Sequence, residues 1–224
     1  MKTTDFIDIL APYAVADQFR SGVLASITIA QGALESGWGR SAPGNNLFGI
    51  KGTGQERETR EYVNGEWITI QDGFRVYESW EGSVRDHSDF LIANGRYTRA
   101  GFFKYCKEMD YRGAAQALQS AGYATDPNYA TKLINIIETY ELTVYDEEAK
   151  NRMNELFQRI TELENEMAAL LKAVSPLQIT AAPDWFVQEF GDHALDGLVN
   201  DTTGTNDFWR NLAVILRIFK LKKL

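Results

Sequence analysis

Residues 31 to 52 of this chain read QGALESGWGRSAPGNNLFGIKG, and that stretch decides how the rest is read. It closes an apolar run, Val23, Leu24, Ile27, Ile29, Ala30, Ala33 and Leu34, that is apolar enough for a buried helix. Gly37 and Gly39 stop the helix, and a glycine-rich aromatic loop and a short strand follow. Glu35 thus stands in the last helical turn, at the negative end of the helix dipole, where a charged carboxylate is disfavoured. Leu34 and Trp38 beside it add desolvation, and both influences raise the pKa of an acid. An acid held protonated near neutral pH suits protonation of a leaving oxygen, the step that glycosidases need. A lone glutamate at a helix end is more often solvated surface, so the weight rests on the whole string.

ALESGWG followed by NNLFGIKG resembles the glucosaminidase-type peptidoglycan hydrolases, glycoside hydrolase family seventy-three. That family includes bacterial autolysins, a flagellar wall hydrolase and phage endolysins. The resemblance covers roughly residues 1 to 142 and implies a lysozyme-like α+β fold, mostly α, with Glu35 as the catalytic acid. It also implies peptidoglycan as substrate, cut at the β-1,4 bond after N-acetylglucosamine. An N-acetylmuramidase using the same Glu35 is the alternative, and a wall-binding or structural protein that keeps the groove but does not turn over is a third class.

Composition narrows the field. With 23 Lys and Arg against 31 Asp and Glu the net charge is −8, which argues against nucleic acid as a partner, because phosphate binding needs a basic face. The single cysteine, Cys106, permits no intrachain disulfide, and without a nearby histidine motif it reads as a small hydrophobe. His87 and His193 are far apart and lack metal-ligand spacing, so neither metal nor cofactor is expected; His87, on an apolar helical face, reads as structural. The opening MKTTDFIDILAPYAV is broken by Asp5, Asp8 and Pro12, unlike a secretory signal. The expectation is an endolysin held in the host cytoplasm without a signal peptide and acting on the wall after release; an autolysin exported by another route or a virion-borne hydrolase is the alternative.

Along the chain, residues 3 to 20 and 22 to 36 read as helices, the first interrupted near Pro12. Residues 47 to 77 are strand territory, and EYVNGEWITI places Asn64-Gly65 between two alternating runs, a strong hairpin signal. From Ser79 helical spacing returns with Trp80, Val84, His87 and Leu91; short helices follow through Tyr111 to Ala121. Asp126-Pro127 then predicts a helix with proline at its first position, running to about Tyr140. From 146 to 175, Met153, Leu156, Ile160, Leu163, Met167, Leu170 and Val174 form a heptad seam. That seam predicts a coiled coil and a homo-oligomer through 147 to 175, against the alternative of an amphipathic helix packed on its own domain. The expected organisation is a catalytic domain at 1 to 145, this helix at 146 to 175, a linker at 176 to 183 with Pro176 and Pro183, and a small module at 184 to 224.

Glycoside hydrolysis usually needs a second group, and ERETRE offers Glu56, Glu58 and Glu61. The resemblance selects Glu61, because TREYVNG matches the hairpin segment where relatives carry their second glutamate. N-acetyl sugars also carry an acetamido group able to act as nucleophile, an exception to the paired-carboxylate scheme. By the same resemblance, Tyr123 in AGYATDPNYA matches a tyrosine near the catalytic glutamate, placed to hold acetamido or water. Trp38, Asn46, Phe48 and Tyr97 are candidate sugar contacts, amide groups for acetamido hydrogen bonds and aromatic faces for sugar rings; Phe48 reads equally as core.

The tail faintly resembles a single S-layer-homology module, on Pro183, Trp185, Gly197-Leu198-Val199 and Leu212 to Arg217, without the usual string before its last helix. That resemblance implies contact with a wall polymer. Alternatively Arg210, Arg217, Lys220, Lys222 and Lys223 beside Trp209, Leu212, Ala213, Leu216 and Phe219 make a basic amphipathic helix able to lie on a membrane surface. That apolar face packing on Trp185, Phe186 and Phe190 is the third option.

Overall fold

α1 spans Thr3–Ser21 and α2 spans Ala25–Ser36, and their packing makes the centre of the first of two structural units, Met1–Glu155. The computed structural model describes residues 1–63, 66–174, 180–190 and 203–221. α1 runs unbroken through Pro12, where an interruption was expected. Pro12 lies on the exposed side and removes one backbone donor, while Leu10, Ala11, Ala14 and Val15 on the inner side are buried and hold the helix across it.

α2 is buried from Ala25 to Ala33, as a helix apolar on every side requires; α1, α6 (Tyr111–Ser120) and α7 (Tyr129–Thr139) pack around it. Its first turn has no side-chain cap of its own. Instead Ala25 N–H donates to Gln18 Oε1 at 2.7 Å and Ser26 N–H to Asp146 Oδ1 at 2.8 Å, acceptors supplied from other parts of the chain.

β1 (Lys51–Val63) and β2 (Glu66–Phe74) pair antiparallel, with Val63 opposite Glu66. The turn expected at Asn64-Gly65 lies outside the described residues. α3 (Trp80–Ala93) is capped by Ser79, whose hydroxyl accepts from Gly82 N–H, and buries Val84, His87 and Leu91. α4 (Gly95–Arg99) and α5 (Phe102–Lys107) lead to α6. α7 starts at Tyr129, not at Pro127: Asp126 is spent on a separate turn, accepting from Asn128 N–H at 2.8 Å.

α8 is one continuous helix, Thr143–Val174, and it starts before the boundary expected between 145 and 146. Asp146 and Ala149 are buried, and the first unit runs on to Glu155. From Leu156 the seam residues Leu156, Ile160, Leu163, Met167 and Leu170 are exposed, and Phe157 and Leu171 beside them widen the stripe. In the second unit, Leu156–Leu224, β3 (Thr180–Ala181) pairs with β4 (Thr203–Gly204), and α9 (Asp184–Phe190) and α10 (Asn206–Leu221) bury Phe186, Trp209 and Ala213. The apolar face of α10 offered above to a membrane is therefore used in packing, with Leu212 and Leu216 against that cluster. Arg217 is paired bidentately with Glu189 at 2.7 and 2.5 Å. Pro176, Gly197-Leu198-Val199, His193, Lys222 and Lys223 lie outside the described residues.

Candidate active site

The last turn of α2 carries Glu35, and the turn after it is tightly specified. Gly37, Trp38 and Gly39 all have left-handed backbone, φ 57°, 63° and 72°, a conformation costly for most residues. Ser36 Oγ donates to Gly32 O at 2.5 Å and accepts from Gly39 N–H at 2.7 Å. A Cβ on Gly39 would come within 2.8 Å of the Trp80 ring, so only glycine fits.

Trp38, expected as a sugar contact, anchors this turn. Its N–H donates to Ala33 O at 2.8 Å, and its ring packs edge-on against Phe6 and Tyr140, with centroids 5.8 and 4.7 Å away. It borders neither hollow beside Glu35.

Among the described residues two hollows border Glu35. One of about 410 Å³ is lined by Glu35, Phe48, Lys51, Arg96 and Tyr123 among others. The other, about 150 Å³, is lined by Glu35, Ser41, Asn46, Gln55 and Phe74. A carboxyl group between two hollows is placed as an acid is placed on a scissile bond, with the chain running to either side.

Tyr129 O–H donates to Glu35 Oε1 at 2.8 Å. Glu35 presents surface to the cleft, yet crowding around its carboxyl is the largest influence on it: desolvation raises the pKa, and the Tyr129 hydrogen bond pulls it partly back. The direction matches the sequence argument. Behind Tyr129, Gln31 Nε2 donates to the phenol oxygen at 2.9 Å, and His87 Nε2 meets Gln31 Oε1 at 3.1 Å. His87 is completely buried, its pKa lowered to about 3 by desolvation.

Tyr123 lines the larger hollow and stacks on Tyr129, with centroids 5.6 Å apart and planes 20° apart. Its phenol pKa is raised well above the usual value by burial and then by the Glu35 charge. Among the described residues the hydrogen bond to Glu35 comes from Tyr129, which the sequence reading missed. Asn46 borders the smaller hollow, but its amide is used internally: Nδ2 donates to Ile50 O and Arg75 O at 2.9 and 3.0 Å, and Oδ1 accepts from Ile50 N–H at 3.0 Å. It shapes the loop and has little left for an acetamido group. Phe48 is 4% exposed and stacked on His87 at 4.0 Å, core first and cleft wall second. Tyr97 is fully buried beneath the larger hollow, with its hydroxyl bonded to Arg96 Nη2 at 2.6 Å, so it supports the floor and offers no face to a sugar.

Glu61 is a β1 residue registered opposite Ile68; its side chain lies outside the described part. Lys51 and Arg96 add cations to the larger hollow, and Lys51 pairs with Asp72 at 2.7 Å. Cys106 is buried, its thiol pushed up to about 12 by desolvation, which makes it inert. Among the described residues no group of His, Cys, Asp and Glu is placed to hold a metal ion, and no helix is long and apolar enough to cross a membrane.

Residues 11–142 match the family model Glucosaminidase, described as mannosyl-glycoprotein endo-beta-N-acetylglucosaminidase. The exo-glucosaminidase LytG of Bacillus subtilis is 41% identical over 149 residues, 63% of this chain and 53% of that protein. A probable N-acetylmuramidase of Lactococcus lactis is 40% identical over 64% of this chain and 35% of its own length. Among solved structures, the catalytic domain of the autolysin Auto from Listeria monocytogenes is 36% identical, with a TM-score of 0.56 over 64% of this chain and 87% of that domain. The chain thus spans about half the length of the first curated relative and about a third of the second.

Proposed function

The chain belongs to the glucosaminidase family, and on that premise we propose that it hydrolyses the β-1,4 glycosidic bond of bacterial peptidoglycan after N-acetylglucosamine. The observation that carries this reading is Glu35: a desolvated carboxyl, raised in pKa, held between two hollows at the end of a buried helix. Glu35 delivers its proton to the glycosidic oxygen as the C1–O bond breaks. Positive charge develops at C1, and water adds there, its proton passing to a base. Lys51 and Arg96 suit the stem-peptide carboxylates of peptidoglycan.

The base or nucleophile on the other face is Glu61 or the substrate's own acetamido group. From Gln55, which borders the cleft, to Glu61 is six residues of strand, about 20 Å of extended chain, so Glu61 serves only if the β1–β2 wing folds over the substrate. Tyr123, which lines the larger hollow, holds the acetamido group or water.

The test is digestion of purified wall by wild type and Glu35→Gln. The isosteric variant cannot supply the proton, and a loss of about a hundredfold or more is expected. Activity near wild type refutes the assignment. A relative named as a probable N-acetylmuramidase keeps a second specificity in view, and mass spectrometry of the products separates the two by which sugar becomes the reducing end.

The larger setting is part of the same proposal. The exposed stripe of α8 joins copies of the chain, and the module from 184 to 224 contacts a wall polymer. The role is that of an endolysin, with an autolysin as the alternative. Lysis on expression that appears only once the membrane is permeabilised is the expected behaviour; lysis from intact producing cells favours the autolysin.

A further inference from the structure

Glu35, Tyr129, Gln31 and His87 form a single file of hydrogen bonds that runs from the cleft into the core, and its two possible directions are not equivalent. In one, His87 Nε2–H donates to Gln31 Oε1 at 3.1 Å, Gln31 Nε2–H to the Tyr129 oxygen at 2.9 Å, and Tyr129 O–H to Glu35 Oε1 at 2.8 Å. In the other, Glu35 donates to Tyr129, Tyr129 to Gln31, and Gln31 to a bare His87 Nε2. The second direction forces the histidine proton onto Nδ1, a buried atom with no partner. An orphaned buried N–H donor is expensive, whereas an orphaned lone pair on a neutral imidazole is more readily borne. The stack of His87 on Phe48, 4.0 Å apart and 15° from parallel, holds the ring in this orientation.

We propose that His87, through Gln31, is a positioning residue for catalysis: it sets the direction of the file so that Tyr129 always donates to Glu35. The consequence is chemical. With Oε1 already accepting a hydrogen, the proton that Glu35 transfers is confined to Oε2. The ionised product of each proton transfer also meets a ready donor rather than a competing lone pair. The inference rests on Glu35 being the catalytic acid. Among the described residues, the other titratable groups on the larger hollow are Tyr97, Tyr123, Lys51 and Arg96, and none of them belongs to the file.

The test is the pH dependence of kcat/KM on purified wall for wild type, His87→Phe, Tyr129→Phe and the double variant. Phenylalanine keeps the ring stack and deletes the Nε2 donor. Losing a donor to the carboxylate raises the pKa of Glu35, so the high-pH limb should move upward in both single variants. If His87 acts through Tyr129, the double variant should move no further than Tyr129→Phe alone. A purely packing role for His87 would lower activity by the same factor at every pH and leave the limb in place; that result, or additive shifts, overturns the proposal. Should His87→Phe fail to fold, Gln31→Met cuts the same file at its middle and carries the same expectation. An active Glu35→Gln would instead remove the acid assignment itself, an outcome distinct from a dead Glu35→Gln with an unmoved limb in His87→Phe.

Discussion

Replacing Asp146 with asparagine should stabilise the protein at neutral pH, although Asp146 holds the helix that carries Glu35. Asp146 is 3% exposed, and its Oδ1 accepts the Ser26 N–H at the start of α2. Desolvation raises its pKa from 3.8 to about 6. The folded protein therefore binds this proton more tightly than the unfolded chain. The associated stability is fully present below pH 3.8 and is lost as pH rises through about 6. At about 1.4 kcal/mol per pH unit the loss comes to about 3 kcal/mol. The dipole of α2 works the other way, favouring a negative charge at its N-terminus by about 0.3–1 kcal/mol. Desolvation wins. Asparagine keeps the acceptor oxygen and carries no charge, so Asp146→Asn should gain about 1–3 kcal/mol at pH 8 and nothing at pH 3.5. Alanine removes the acceptor and leaves a buried N–H at the helix start, costing about 1–2 kcal/mol at low pH, where Asp146 is neutral and nothing offsets the lost bond. Urea denaturation of the three proteins between pH 3.5 and 8 gives the comparison directly. An Asp146→Asn variant less stable than wild type at pH 8 would mean that the charge is net favourable, and would refute this account of the cap.

The pH profile of activity should follow Glu35 in the opposite sense to an ordinary carboxylate base. With Glu35 as the acid its protonated form is the working one, so kcat/KM should fall as pH rises through a pKa that desolvation raises from its ordinary value; a fall centred at or below the ordinary value would contradict the desolvated site. Glu61→Gln should lose about tenfold or more, yet retain more turnover than Glu35→Gln if the acetamido group can act alone. Unchanged kinetics there, with a clear loss in Glu58→Gln or Glu56→Gln, would move the assignment along β1. The α8 stripe predicts an oligomeric mass by light scattering at micromolar concentration, reverting to monomer when Ile160 and Leu163 are both changed to Asp. A monomeric wild type would make this helix a spacer.

The elements that sequence alone revealed are those whose causes are local. Apolar crowding from Val23 to Leu34, the stop at Gly37 and Gly39, and Asn64-Gly65 between alternating runs each act within a few residues. The family string then identified Glu35, and the structure surrounds it with the desolvation expected there. What went unread depends on residues distant in the chain. The cap of α2 comes from Gln18 on α1 and Asp146 on α8, the latter more than a hundred residues on in the chain. Pro12 reads as a breaker, and only the buried residues on either side of it show why the helix continues. Trp38 and Asn46 carry sugar-binding chemistry in their side chains, but the fold uses that chemistry for itself.

Tyr129 shows the same logic inside the site. Tyr123 and Tyr129 lie six residues apart on either side of Asp126-Pro127, and nothing in their spacing tells which phenol reaches the acid. The turn around Asp126 decides it: Tyr129 N–H donates to Asp126 O at 3.1 Å, so Tyr129 opens α7, the helix packed along α2. From that position it meets both Glu35 and Gln31, which are four residues apart on α2 and so share one helical face. Tyr123, before the turn, is left stacked against it on the wall of the hollow. One tyrosine is thus bonded to the acid while the other faces the space a substrate would fill. The i, i+4 relation of Gln31 to Glu35 was the one trace of this arrangement in the sequence. A buried polar residue one turn before a helix-end acid needs partners, and the one that meets Gln31 Nε2, Tyr129, also reaches Glu35.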